Sequence, residues 1–182
     1  MAVITGHDHA VVMSVLHSIL SQYLLETAAL GALLLATLYP LVKRRDPRKA
    51  LGVIAGLNVL RFGGVAGALA ATAASAQPAF LYTVALGDGM AAALAVIACV
   101  ALARRSSRAP LAVTAMNVVG LAGILVSETW LQCLQLAGDI PRSAGVHGPT
   151  MGAACFTVAH LLAFALVRAG GLRAPGSATQ SA

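Results

Sequence analysis

AFLYTVALGDGMAAALAVIACVALA, residues 79–103, carries one charged side chain, Asp88, and stops at Arg104-Arg105. A helix needs roughly 20 apolar residues to cross about 30 Å of hydrocarbon. This run meets that length, and its apolar residues are continuous where barrel strands would alternate. Reading outward, four more runs have the same character. Val11–Val42 holds Glu26 as its only acid, Ala50–Ala76 holds Arg61, Ala109–Gly138 holds Glu128, and Gly148–Val167 is uncharged but contains His160. The expected fold is all-α: a polytopic membrane bundle of five transmembrane helices, about 11–42, 50–76, 79–103, 109–138 and 148–167. Residues 1–10 form an outer segment, 11–168 the transmembrane domain, and 169–182 a disordered cytoplasmic tail.

Composition agrees. Hydrophobic residues make up 59% of the 182 and charged residues only 10%, against about a quarter charged in soluble domains. One small core saturates well below that apolar fraction, so a lipid solvent is required. The net charge is +6, but the basic residues sit in connectors, leaving no aromatic-interleaved basic surface for nucleic acid. Cys99, Cys133 and Cys155 each lie in an apolar run without CxxC spacing, which argues against a disulfide framework or a zinc site. Residues 1–42 contain no Lys or Arg, so the n-region of a cleavable signal is missing and the first run is expected to remain as a helix.

Orientation follows from the connectors. Lys43, Arg44, Arg45, Arg48, Lys49, Arg104, Arg105, Arg108, Arg168 and Arg173 fall on one side of five alternating spans, and Arg142 alone on the other. The positive-inside rule places the N-terminus outside and the C-terminus in the cytoplasm of a bacterial-type inner membrane. Ser75–Ala79, with Pro78, should form a tight outer turn, and Ala137–His147 the longest outer loop.

Two kinds of residue shape the expected packing. Gly52, Gly56, Gly63 and Gly67 fall within about 60° on one helix face, a seam that would admit a close neighbour, a membrane partner or a second copy. Asn58 and Arg61 point the other way. Asp88, Ala92, Ala95 and Cys99 make a comparable small-residue strip on the next helix.

Ionisable residues inside hydrocarbon cost roughly 2.5–3.5 kcal/mol each on insertion scales, so each needs a partner, a cavity or neutralisation. At 1.5 Å per residue, Arg61 lies about 18 Å from the inner surface, Asp88 and Glu128 about 14 Å below the outer one, and Glu26 about 25 Å above the inner one. All four share the middle to outer half. Arg61 and Asp88 are eligible partners across the tight turn, because a long Arg side chain covers a few ångströms of offset. Three acids against one base leave a carboxyl over, and burial favours its protonated form. Polar stripes add to this: Ser14, Ser18, Gln22 and Glu26 on the first helix, with His17 and Ser21 alongside, and Thr114, Asn117, Glu128 and Gln135 on the fourth. The candidate site is therefore Arg61, Asp88, Glu128, Glu26, Asn58, Asn117 and His160. No cofactor or metal is expected. A haem between His17 and His160, and a metal among His7, Asp8, His9, His17 and His147, stay open as alternatives. No nucleophile elbow, phosphate loop or HExxH motif is present.

LNVLRFGG (57–64), GDGMAAALA (87–95), MNVVGLAGILVS (116–127) and a final Gly-Pro before the helix of His160 resemble a family of small bacterial multi-span membrane proteins of uncharacterised function. The resemblance covers roughly residues 50–168 and implies a fold and a class, with Arg61, Asp88, Asn117 and His160 singled out. Ser127-Glu128 and the loop after it depart from the pattern. Three functions remain in contention: a small proton- or ion-responsive transporter-like protein, a membrane enzyme using Asp88, Glu128 or Glu26 as general acid on a lipid or isoprenoid, and an accessory subunit of a membrane complex. The first is expected, because the polar faces imply a wet interior.

Overall fold

The computed structural model describes residues 46–73, 75–137, 147–169 and 172, together with helical residues between 25 and 40. Five helices are defined: α1 (Pro47–Val59), α2 (Arg61–Thr72), α3 (Pro78–Ala103), α4 (Ala109–Ala137) and α5 (His147–Arg168). The stretches Pro47–Thr72, Pro78–Ala103 and Ala109–Gln135 are long and apolar enough to cross a membrane, with mean hydropathies of 1.6, 2.1 and 2.0. The apolar part of α5, Gly152–Arg168, is shorter. The first expected span lies mostly outside the described residues. Among the described residues there are thus three candidate spans, as in a multi-pass membrane protein.

Local chemistry sets the helix ends. Asp46 caps α1, its Oδ1 accepting from the Arg48 N–H at 2.9 Å, and Pro47 fills the first turn, where no N–H is needed. Pro78 does the same for α3, and Ser75 Oγ accepts from the Gln77 N–H at 3.0 Å in the turn before it. The end of α3 closes with Ser106 N–H on Ala101 O (2.9 Å) and Arg105 N–H on Leu102 O (3.2 Å), with Arg105 at φ 51°. That is the Schellman arrangement, with arginine in the left-handed position that glycine usually takes.

The span expected as one helix over 50–76 is broken at Leu60. There the Leu60 N–H turns to Leu57 O at 3.1 Å, and the Gly63 N–H to Leu60 O at 2.9 Å, three-residue closures that tighten the turn. Asn58 contributes, because its Nδ2 donates to Ile54 O at 3.1 Å. Such back-bonding to the carbonyl one turn earlier competes with the helix ladder and bends helices. Arg61 then becomes the first residue of α2.

Helix α3 is the hub, packing on α1, α2 and α4, while α5 closes against α4 and α1. Its alanines 91, 92, 95 and 98 are fully buried, and small side chains of this kind let helices approach closely when lipid supplies no hydrophobic drive between them. A Cβ at Gly87 would lie 3.4 Å from the Gly123 backbone, so the α3–α4 crossing is near the limit of approach. Among the described residues the face of Gly52, Gly56, Gly63 and Gly67 stays open: a Cβ at any of the four meets nothing within 4 Å. The buried face of α1 is instead Leu51, Ile54, Ala55 and Asn58, roughly opposite those glycines. Leu60, Leu86, Leu111, Leu125 and Leu161 are exposed, a large apolar exterior that lipid explains and water does not.

The bundle is layered along its length. An apolar core of Leu51, Ile54, Ala98, Leu102, Val113, Met116 and Ala163 occupies the end near the α3–α4 turn, and Leu172 folds back onto it. The buried polar residues form a middle layer, and a cavity occupies the end near the α2–α3 turn.

Candidate functional site: a buried arginine beneath a cavity

Arg61 is 4% exposed, and each nitrogen of its guanidinium makes a polar contact. Nε donates to Asp88 Oδ1 at 2.8 Å, and Nη2 lies 2.5 Å from the same oxygen. Nη1 donates to Gly120 O at 3.4 Å and approaches His160 Nε2 at 3.4 Å. The Phe156 ring lies 5.2 Å from Cζ, within cation–π range. Arginine has only donors, so the contact with His160 requires Nε2 to accept. The ring proton then sits on Nδ1, which donates to Asn117 Oδ1 at 2.8 Å. Asp88, Arg61, His160 and Asn117 thus form one chain of hydrogen bonds across α3, α2, α5 and α4, carrying no net charge.

Each polar residue of this chain on α2, α3 and α4 has a glycine that makes room. A Cβ at Gly64, one turn after Arg61, would come within 2.7 Å of Asp88 Oδ2. A Cβ at Gly120, one turn after Asn117, would overlap the His160 ring and stand 3.1 Å from Arg61 Nη1. Gly87, beside Asp88, permits the close crossing with Gly123. Gly120 stands in the Asn-x-x-Gly pattern that the family resemblance carries, whereas Gly64 and Phe156 had no role expected from the sequence. The findable signal was the repeated spacing of a polar residue and a glycine three apart on one face, Arg61 with Gly64 and Asn117 with Gly120.

Above this chain lies a cavity of about 450 Å³ between α2, α3, α4 and α5. Its floor includes Arg61 and Asp88, its walls Val84, Ile124, Leu131 and Phe156, and Glu128 opens onto it. Glu128 is 8% exposed, and its Oε2 is buried without a hydrogen-bond partner. Buried polar atoms are bonded in the large majority of cases, so such an exception asks for an explanation.

The structure thus gathers Arg61, Asp88, Asn117 and His160 into direct contact and places Glu128 on the same cavity as the ion pair, bonded to neither partner. Asn58 is fully buried one turn before Arg61, with its Oδ1 unpartnered; its bond goes to its own helix and it makes none to the site. Glu26, the outer His7, Asp8 and His9, and His17 lie outside the described residues, as does the 138–146 stretch of the outer loop. His160 has both ring nitrogens occupied, so neither is left to ligate a haem iron.

Residues 18–168 match the family model described as a domain of unknown function, DUF8737. The chain belongs to that family. The match spans the described helices and the whole Arg61-centred network. No curated protein and no solved structure matches it.

Proposed function

We propose that this protein is a small transporter-like protein of a bacterial inner membrane whose buried Arg–carboxylate site responds to protons. One observation carries the reading: Glu128 lines a cavity with an unpartnered carboxyl oxygen while each nitrogen of the nearby arginine is engaged by Asp88, Gly120 or His160. A carboxylate left there would be an uncompensated buried charge, which is costly. Taking up a proton removes that charge, and releasing it on demand makes the cavity sensitive to pH or to a ligand. The ten-to-one split of basic residues supports an outer N-terminus and a cytoplasmic C-terminus. With that orientation the cavity opens toward the outer half.

The test is spectroscopic. In protein reconstituted into bilayers, infrared difference spectra between alkaline and acidic buffer should contain the C=O stretch of a protonated carboxyl that vanishes in Glu128→Gln. A spectrum unchanged by that substitution would overturn the reading.

A further inference from the structure

We propose that the cavity binds an organic cation with an apolar body, a quaternary or protonated amine, on Glu128 in exchange for the proton. The inference rests on the proton-responsive reading above and adds its substrate class. Three features of the cavity select that chemistry.

Charge comes first. Among the described residues, the ionisable groups lining the cavity are Arg61 on α2, Asp88 on α3 and Glu128 on α4; α5 contributes Gly152, Ala153 and Phe156, none of which ionises. Arg61 and Asp88 cancel at 2.5 Å, so ionising Glu128 leaves a single net negative charge. An anionic ligand finds Nε, Nη1 and Nη2 of Arg61 already serving Asp88, Gly120 and His160, with a single Nη2 N–H left over. It would also meet the carboxyl groups of Asp88 and Glu128 on the same cavity.

The walls come second. Leu81, Val84, Ile124 and Leu131 are aliphatic, and Phe80, which meets Trp130 edge-on at 6.1 Å, adds an aromatic side. Such walls desolvate a hydrocarbon body and leave a sugar or other polyol short of partners. Aromatic faces also favour quaternary ammonium groups. Size comes third, since about 450 Å³ falls inside the usual range of small-molecule sites.

The exchange balances. Protonated Glu128 and a free cation become the carboxylate–cation pair and a released proton, with one positive charge on each side. Affinity should therefore rise with pH, by up to about tenfold per unit while the empty site holds its proton.

The experiment uses the full chain in lipid nanodiscs with benzyltrimethylammonium and its neutral carbon isostere, neopentylbenzene. Titration calorimetry in two buffers of different ionisation enthalpy reads both affinity and protons released. The quaternary ion should bind saturably, release about one proton, and lose at least about tenfold in affinity in Glu128→Gln, while the isostere binds weakly and releases none. Co-elution of Glu128→Gln with wild type on size exclusion checks that the variant is folded, and Leu81→Trp supplies a second variant that fills the cavity and should also abolish binding. Equal affinity of wild type and folded Glu128→Gln, equal affinity for the isostere, or no saturable binding of the cation would each overturn the proposal. If the cation fails while the Glu128 infrared band persists, the substrate class falls and the proton-responsive reading stands. If the band is absent too, both fall.

Discussion

Two buried polar regions lie within the same bundle and are built in opposite ways. In the middle layer, Arg61 meets Asp88, Gly120, His160 and Phe156, and His160 passes its other nitrogen to Asn117. Just beyond it, Glu128 presents an oxygen that bonds to nothing. The first region resembles a structural clip, in which each nitrogen of the guanidinium has an acceptor and glycines clear the space around it. The second retains a cost that a purely structural role would have removed. Function is therefore sought at the incomplete region, with the complete one as its support.

That contrast can be broken experimentally. Asp88→Ala should give the largest effect, since it leaves Arg61 buried and unpaired; about 3–5 kcal/mol of stability should be lost, read by denaturant unfolding in detergent. Replacing both partners with apolar residues, Arg61→Met with Asp88→Leu, should recover most of that loss, because an absent pair costs far less than half of one. A double variant no more stable than Asp88→Ala would mean that the clip does more than neutralise charge.

Gly120→Ala should follow, at about 1–3 kcal/mol, because the added methyl overlaps the His160 ring. Gly56→Ala is its control: with nothing within 4 Å, it should be neutral or stabilise by up to about 1 kcal/mol through helix propensity alone. Equal losses in the two would show that Gly56 meets a neighbour in the bilayer. His160→Phe removes an acceptor from Nη1 and the donor to Asn117, and about 1–3 kcal/mol should be lost. The smallest effect belongs to Glu128→Gln, within about 0.5 kcal/mol of wild type by the same unfolding assay. A large loss there would place Glu128 in the structural region after all.

The fold was legible where hydrocarbon imposes length. The runs around Asp88 and Glu128 could be read as spanning helices because a continuous apolar stretch of that size has few other uses. The break at Leu60 was not legible, because the cause is a side-chain bond from Asn58 to Ile54 O and any buried asparagine permits several such choices. The glycines show a related limit. Gly52, Gly56, Gly63 and Gly67 share a helix face by arithmetic, but arithmetic does not say which face meets a neighbour. The buried polar residue Asn58 marks the side of α1 that packs within the described bundle, and the glycines lie roughly opposite. At the site, shared depth brought Arg61, Asp88 and Glu128 into one discussion. The tie from Arg61 to His160 joins residues 99 positions apart, and depth estimated from run lengths could not supply the lateral order of helices that brings them together.

The ion pair also bears on how the chain reaches its destination. Arg61 and Asp88 are only 27 positions apart, on either side of one short turn, whereas their contacts with α4 and α5 await much later segments. The stretch from Pro47 to Ala103 can therefore cancel the charge of Arg61 against that of Asp88 as it partitions, with Arg48 and Lys49 left at its first end, before α4 and α5 are synthesised. In an insertion assay, the isolated Pro47–Thr72 segment should integrate poorly and the Pro47–Ala103 segment efficiently; equal efficiency would mean the arginine never needed its early companion.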